Sequence, residues 1–356
     1  MGILFTPTKY FDLKQDDELT EKFFNEVLAE NTERIQVHLY KLNLTEKGWK
    51  KLNDKIFKIN PNIRLRLYSG VELDLSFLKN LPDLEILSIE LHTIQNGLEI
   101  GKLKKLKSLT LISNQNDFSF FNDVNIPLEN LFLGTNEAKN AKNDLLPILK
   151  FKNLKSLRIN RYWKNLEKIV TELSELEELF LRSISGLKDI NFIADKQKLQ
   201  KLQLNSCGVN NYEPLRNLKN LKAFGLWKPT KLENLNFVSE LTGLQYLFLQ
   251  TVNNPTKFPN IDNLKKLKRV VLYSVKSVSD FTTLVNVKHL KEFGFYDIQE
   301  QKPEDFLPII ENKSIEKIYL WYFKTGLRND TDQLLEKNGR QNKYVNYIND
   351  LDLKYE

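Results

Sequence analysis

Apolar residues recur along most of this chain in one frame: a leucine-like residue, then two more at three and five positions further on. Leu84, Leu87 and Ile89 carry it first. It returns with its opening residue at Leu106, Leu128, Leu154, Leu176, Leu199, Leu221, Leu244, Leu267, Leu290 and Ile315, in steps of 22 to 26 residues. The last two apolar positions of each frame alternate with other residues, the period-two pattern of a strand that buries one face. The opening residue anchors the preceding turn. One unit cannot bury its apolar face alone, so the pattern predicts neighbours stacked into a parallel sheet over a shared core. Steps of 22 or 23 residues leave little chain for the return path, which predicts extended or short 3₁₀ segments there rather than full α-helices. The longer steps Leu128–Leu154 and Leu290–Ile315 have room for a helix, the latter around Pro303–Glu311.

Ahead of the repeats, Asp17–Ala29 reads as an amphipathic helix, and Ile35, Val37 and Leu39 as a strand. Glu46–Lys58 reads as a second helix with Thr45 as its N-cap, and Asn62–Tyr68 as a strand with Leu65 and Leu67 in the repeat frame. Behind the repeats, Asp330–Lys337 reads as a short helix and Tyr344–Leu353 as an apolar closing segment. The ends of a stack need caps with a polar outer face. The expected organisation is therefore an N-terminal α/β cap over 1–61, repeats over 62–323 and a C-terminal cap over 324–356.

The frame and its period resemble the leucine-rich repeat family in its short, bacterial form, with units of 22 or 23 residues. The resemblance covers Asn62 to Phe323. It implies an α/β leucine-rich repeat solenoid, with a curved parallel β-sheet on the concave face and short helical or irregular convex segments. The family often places Asn or Cys three residues after the last strand leucine. Asn114, Asn136 and Cys207 conform, whereas Tyr162, Ile184, Pro229, Val252, Val275, Ile298 and Phe323 do not. The turns are expected to close by some means other than an unbroken asparagine ladder.

Composition changes this picture little. The 356 residues are 41% hydrophobic and 28% charged, as in a soluble folded protein. A single cysteine, Cys207, excludes an intramolecular disulfide and fits a reducing compartment. The opening MGILFTPTKYFDLKQDDE lacks a basic leader followed by an apolar stretch, and nothing later approaches the roughly 20 apolar residues of a membrane helix. A cytoplasmic protein with no membrane contact is expected. His38, His92 and His289 lie far apart with no cysteine or histidine at metal-ligand spacing. Cys207 occupies a repeat turn, where a structural thiol is expected. There is no P-loop, no dinucleotide fingerprint and no nucleophile elbow. The sequence therefore predicts no catalytic residue, no metal, no cofactor and no enzyme, and leaves binding as the expected activity.

The residues between the strand leucines point away from the core. From Trp227 onward almost every strand offers an aromatic there, with Gly225 and Gly294 opening gaps between them. Aromatics and arginines are what binding hot spots are made of. The expected partner-binding residues are Phe180, Arg182, Trp227, Tyr246, Phe248, Arg269, Tyr273, Tyr296, Tyr319 and Trp321. The expected partner is another protein, which this chain would serve as an adaptor, inhibitor or immunity-type neutraliser. The plainer reading is that these aromatics stack across adjacent strands and stabilise the sheet. An alternative partner, nucleic acid or another polyanion, is suggested by lysines that recur around the opening leucines, among them Lys104, Lys105, Lys107, Lys155, Lys219, Lys265, Lys266, Lys268 and Lys291. Glu85, Glu129, Glu177 and Glu178 interrupt that ridge, so a solvated edge is preferred and nucleic acid is not the expected partner.

Overall fold

The computed structural model describes residues 8–32, 34–40, 43–68, 72–90, 93–112, 117–137 and 142–346. The chain divides into a first unit ending at Leu176 and a second beginning at Glu177.

In the first unit the sheet runs in chain order through Thr8–Asp12, Arg34–Leu39, Arg64–Tyr68, Ile86–Glu90, Ser108–Ile112, Asn130–Gly134 and Ser156–Asn160, every pair parallel. In the second it runs through Glu178–Arg182, Lys201–Asn205, Ala223–Trp227, Tyr246–Gln250, Arg269–Tyr273, Glu292–Ile298 and Lys317–Tyr322, again all parallel. Register keeps the repeat frame aligned. Leu179, Leu202, Phe224, Leu247, Val270, Phe293 and Ile318 follow one another across the second unit, all buried. Stacking unlike strands in this way converts a two-residue alternation into a continuous core.

The return path is mostly 3₁₀, as the short repeat step predicts. A recurrent side-chain device starts it: Asp74, Asp117, Asp144, Asp189, Asn211, Asn234, Asn260 and Asp280 each accept from the backbone N–H two residues on, at 2.8 to 3.1 Å. Such an Asx turn bends the chain and satisfies an N–H at the start of the turn. One expectation fails here. Leu166–Glu172 is an α-helix inside a 22-residue step, whereas among the described residues of the longer step Leu128–Leu154 no α-helix forms, and Leu146–Lys150 is 3₁₀. Leu166, Ile169 and Val170 recur at helical spacing and are all buried, so local amphipathicity outweighs loop length. Around Pro303 the chain forms 3₁₀ and then a single α-turn, Leu307–Ile310.

The missing asparagine ladder is replaced by backbone geometry and apolar burial. Ser183, Ser206, Lys228, Thr251 and Ser274, each directly after its strand, adopt positive φ of 48 to 55°. Their N–H groups donate to the carbonyls of Asn205, Trp227, Gln250, Tyr273 and Tyr296 at 2.8 to 2.9 Å. Each repeat thus extends the ladder by one residue before turning inward. Tyr162, Ile184, Val252, Val275 and Ile298 then fill the position where the family often has Asn, all buried, while Phe323 is left exposed. Asn114 lies outside the described residues.

At the front, Thr45 caps the helix Glu46–Leu52 by accepting from Gly48 N–H at 3.1 Å, and the first helix is Glu21–Ala29. The strand Thr8–Asp12 was not legible in the sequence, because Thr-Lys-Tyr-Phe-Asp shows no clean alternation. At the back the helix spans Thr325–Lys337, longer than expected. Arg340 then donates to the carbonyls of Ile310, Asn312 and Ile315. The Asn342 side chain exchanges hydrogen bonds with Leu320 N–H and C=O at 3.0 and 2.9 Å. These contacts turn the chain back over the outward face of the second unit's sheet. Of the closing segment Tyr344–Leu353, residues 347 to 353 lie outside the described residues.

Candidate functional site

The outward face of the second unit consists of three rows running across its strands. The first holds Glu178, Lys201, Ala223, Tyr246, Arg269, Glu292 and Lys317. Its charges alternate and pair: Lys201 with Glu178 at 2.8 Å, and Glu292 with both Arg269 at 2.5 Å and Lys317 at 2.9 Å. Arg269 also lies over the Tyr246 ring, 5.9 Å from its centroid. The middle row runs Phe180, Gln203, Gly225, Phe248, Val271, Gly294 and Tyr319. The third passes through Arg182, Asn205, Trp227, Gln250, Tyr273 and Tyr296.

The register is the expected one up to Phe295, after which the pairing with the last strand shifts. The exposure is not the expected one. Tyr246, Phe248 and Tyr296 are only 2%, 3% and 6% exposed. With Ala223, Val271 and Val345 they form a second apolar cluster, against which Tyr273 and Tyr319 pack. The cover comes from the chain itself. Val345 sits over Gly294, so closely that a Cβ at that glycine would lie 3.2 Å from the valine Cβ. Its carbonyl accepts from the Tyr296 hydroxyl, and Tyr344 rests edge-on against Tyr319 at 5.4 Å. The glycine gap read as an opening is filled from the C-terminal segment. Tyr246, Phe248 and Tyr296 are therefore a foundation layer rather than an open strip. Burial and apolar surroundings push the Tyr246 phenol well above its ordinary range.

What stays accessible is a ridge along the third row and the last strand. Arg182 is exposed, and Trp227, Tyr273, Tyr319 and Trp321 are half-exposed, as is Phe180 in the middle row. Tyr273 stacks on Tyr296 at 6.0 Å with planes 8° apart and Tyr319 lies 4.8 Å from it, so these two members of the ridge are held from below by the buried layer. Trp321 meets Phe323 edge-on at 4.5 Å and has the Arg328 guanidinium 5.7 Å above its ring. Phe323 is 69% exposed. Beside it Asp297, Ile298, Gln299, Phe323 and Lys324 line an open recess of ≈ 400 Å³.

A leucine-rich repeat protein of Leptospira interrogans superposes on 94% of this chain and 90% of its own, with a TM-score of 0.57 at 18% identity. The fold is the leucine-rich repeat. Internalin C2 of Listeria monocytogenes superposes on 62% of this chain and 83% of its own, at 19% identity and a TM-score of 0.38. A plant peptide hormone receptor, solved with its peptide, superposes on 87% of this chain and 61% of its own, at 16% and 0.39. No protein-family model and no curated protein sequence matches the chain.

The lysine edge of the leucine-rich repeats is laced with carboxylates. Lys105 pairs with Asp83 at 2.5 Å, Lys107 with Glu85 at 2.8 Å, Lys155 with Glu129 at 3.0 Å and Lys291 with Glu316 at 3.0 Å. Of the glutamates that interrupt the ridge in sequence, Glu85, Glu129 and Glu178 pair with lysines in space. Cys207 fills its repeat turn, donating to the Leu181 carbonyl at 3.4 Å. Burial pushes its thiol up to about 11, the reverse of what a nucleophile needs. Among the described residues, no group of His, Cys, Asp and Glu is placed to hold a metal ion, and no helix is long and apolar enough to cross a membrane. His92 lies outside them.

A second cluster, on the outward face of the first unit, escaped the sequence reading. Arg66 reaches Glu90 through two hydrogen bonds of 2.9 and 2.6 Å, and its guanidinium lies 4.9 Å from the Tyr68 ring and 5.8 Å from that of Tyr10. His38, 3.0 Å from Asp12, stands edge-on to both tyrosines. Tyr10 belongs to the strand that showed no pattern. Only its pairing beside Arg34–Leu39 brings it here.

Proposed function

We propose that this leucine-rich repeat protein is a non-enzymatic scaffold that binds another protein through the accessible ridge Arg182, Trp227, Tyr273, Tyr319 and Trp321. The observation that carries the reading is the two-layer build of that face, where the half-exposed Tyr273 and Tyr319 pack on a buried aromatic layer. Rings fixed from below lose little entropy on binding, which is why tryptophan, tyrosine and arginine serve as anchors. The exposed Phe323 and the adjoining recess give a partner side chain somewhere to insert. Tyr246, Phe248 and Tyr296 support Tyr273 and Tyr319 from beneath, and Arg269 is tied to Glu292. An adaptor, inhibitor or neutralising role fits this build, and the single buried thiol fits a cytoplasmic setting. With Lys105, Lys107, Lys155, Lys219 and Lys291 held in ion pairs, the lysine edge gives little support to a polyanion partner.

The test is capture of the partner from the native cell, followed by calorimetric titration of the purified pair. Trp227→Ala with Trp321→Ala is expected to weaken binding about 30- to 1000-fold, as loss of anchors worth about 2–4 kcal/mol would do, with little change in melting temperature. Unchanged affinity in the double variant would remove the ridge from the interface.

A further inference from the structure

The outward face of the first unit gathers arginines around Arg64, for which no ion pair is found among the described residues. Arg64 and Arg66 alternate along the strand Arg64–Tyr68 and so share that face. Arg34 lies on the neighbouring strand, two residues before Gln36, which stands directly opposite Arg64. That diagonal separates the two arginine backbones by only about 7–8 Å. Ser88 and Thr110 follow Arg66 in successive strands, so a small polar floor lies alongside it.

Among the described residues, Glu90 is the carboxylate that acts on Arg64, and it is already held by two hydrogen bonds from Arg66 and one from Ser88 at 2.9 Å. The half-buried Arg64 guanidinium is left with a rigid fork of donors and no carboxylate of its own. Burial, then the neighbouring arginines, push it below its ordinary range. A cation that has lost water without gaining a counter-charge is costly to the fold.

We propose that this cluster is a docking site for an acidic segment of a protein partner, with Arg64 taking a partner carboxylate in a bidentate pair. Guanidinium and carboxylate match fork to fork. The setting favours peptide over nucleic acid. The arginines sit among Tyr10, Tyr68 and His38, a hot-spot composition, and Glu90 and Asp12 interrupt any path that a run of phosphates would follow. The site lies wholly in the first unit, so it stands or falls separately from the ridge of the second.

Fluorescein-labelled octaglutamate, titrated into the full chain at low salt and followed by polarisation, tests it. Saturable binding is expected, weakened tenfold or more by Arg64→Gln, with a melting temperature equal to or above the parent's because an uncompensated charge has gone. Arg64→Lys keeps the charge but not the fork and is expected to fall between, and it decides the matter if the glutamine variant does not fold. Lys265→Gln with Lys266→Gln, in the second unit, leaves binding unchanged. Parent-like binding in the Arg64 variants, or an equal loss in the lysine variant, overturns the proposal. So does tighter, Arg64-dependent binding of a labelled 15-nucleotide oligothymidine.

Discussion

Replacing Phe248 with alanine separates a foundation layer from an open binding strip. The ring stands between Gly225 and Val271 in the middle row and is 3% exposed. Phe→Ala at buried sites costs about 3–5 kcal/mol, part lost transfer energy and part cavity. The lower end applies here, because this layer is thin and the C-terminal segment that covers it can settle. With a urea slope of about 2–3 kcal/mol/M, about 3 kcal/mol lowers the unfolding midpoint by roughly 1–1.5 M. Gln250→Ala, two residues on along the same face but half-exposed, is expected to stay within about 0.5 kcal/mol of the parent. Repeat stacks can unfold in parts, so the comparison is made where tryptophan fluorescence and far-UV dichroism report the same midpoint. Equal midpoints for Phe248→Ala, Gln250→Ala and the parent would refute the reasoning and return Phe248 to the surface.

Two further outcomes check other parts of the structure. The neutral, buried Cys207 thiol, raised to about 11, is expected to react with a disulfide reagent at pH 8 only as fast as the protein unfolds, and rapid labelling of the native state would contradict its placement. Glu90 is opposed by its burial, but the hydrogen bond and charge of Arg66 prevail and hold it below the usual carboxylate range. A depressed folded pKa stabilises above the unfolded value near 4.5 and ceases to do so as pH falls through the folded value. The melting-temperature gap between the parent and Glu90→Gln should therefore be widest near neutrality and narrow as pH falls below 4.5 toward the folded value, and a gap that does not narrow in acid would contradict the assignment.

Periodicity made the repeat frame, the strand register and the inward leucine rows legible, because stacking imposes the same alternation on every unit. The 3₁₀ return path was legible from length alone. The α-helix Leu166–Glu172 was not, although Leu166, Ile169 and Val170 carried a local helical signal. Exposure was the larger miss. Sequence places Phe248 and Tyr296 on the face away from the leucines, correctly, but whether that face is open depends on Val345 returning from far along the chain, and no local pattern announces it. The Arg64 cluster was hidden for a similar reason. Arg64, Arg66 and Tyr68 are visible on one strand, whereas Arg34 and Tyr10 join them only through sheet order.

Hydroxyl-radical footprinting of the second unit's outward face, in the protein alone and with its captured partner, tests the central claim most directly. The account predicts that Trp227, Tyr273 and Trp321 are oxidised in the protein alone and protected in the complex, while Tyr246 and Phe248 resist oxidation in both. Oxidation of Tyr246 and Phe248 in the protein alone, or a complex in which Trp227 and Trp321 react as before, would contradict it.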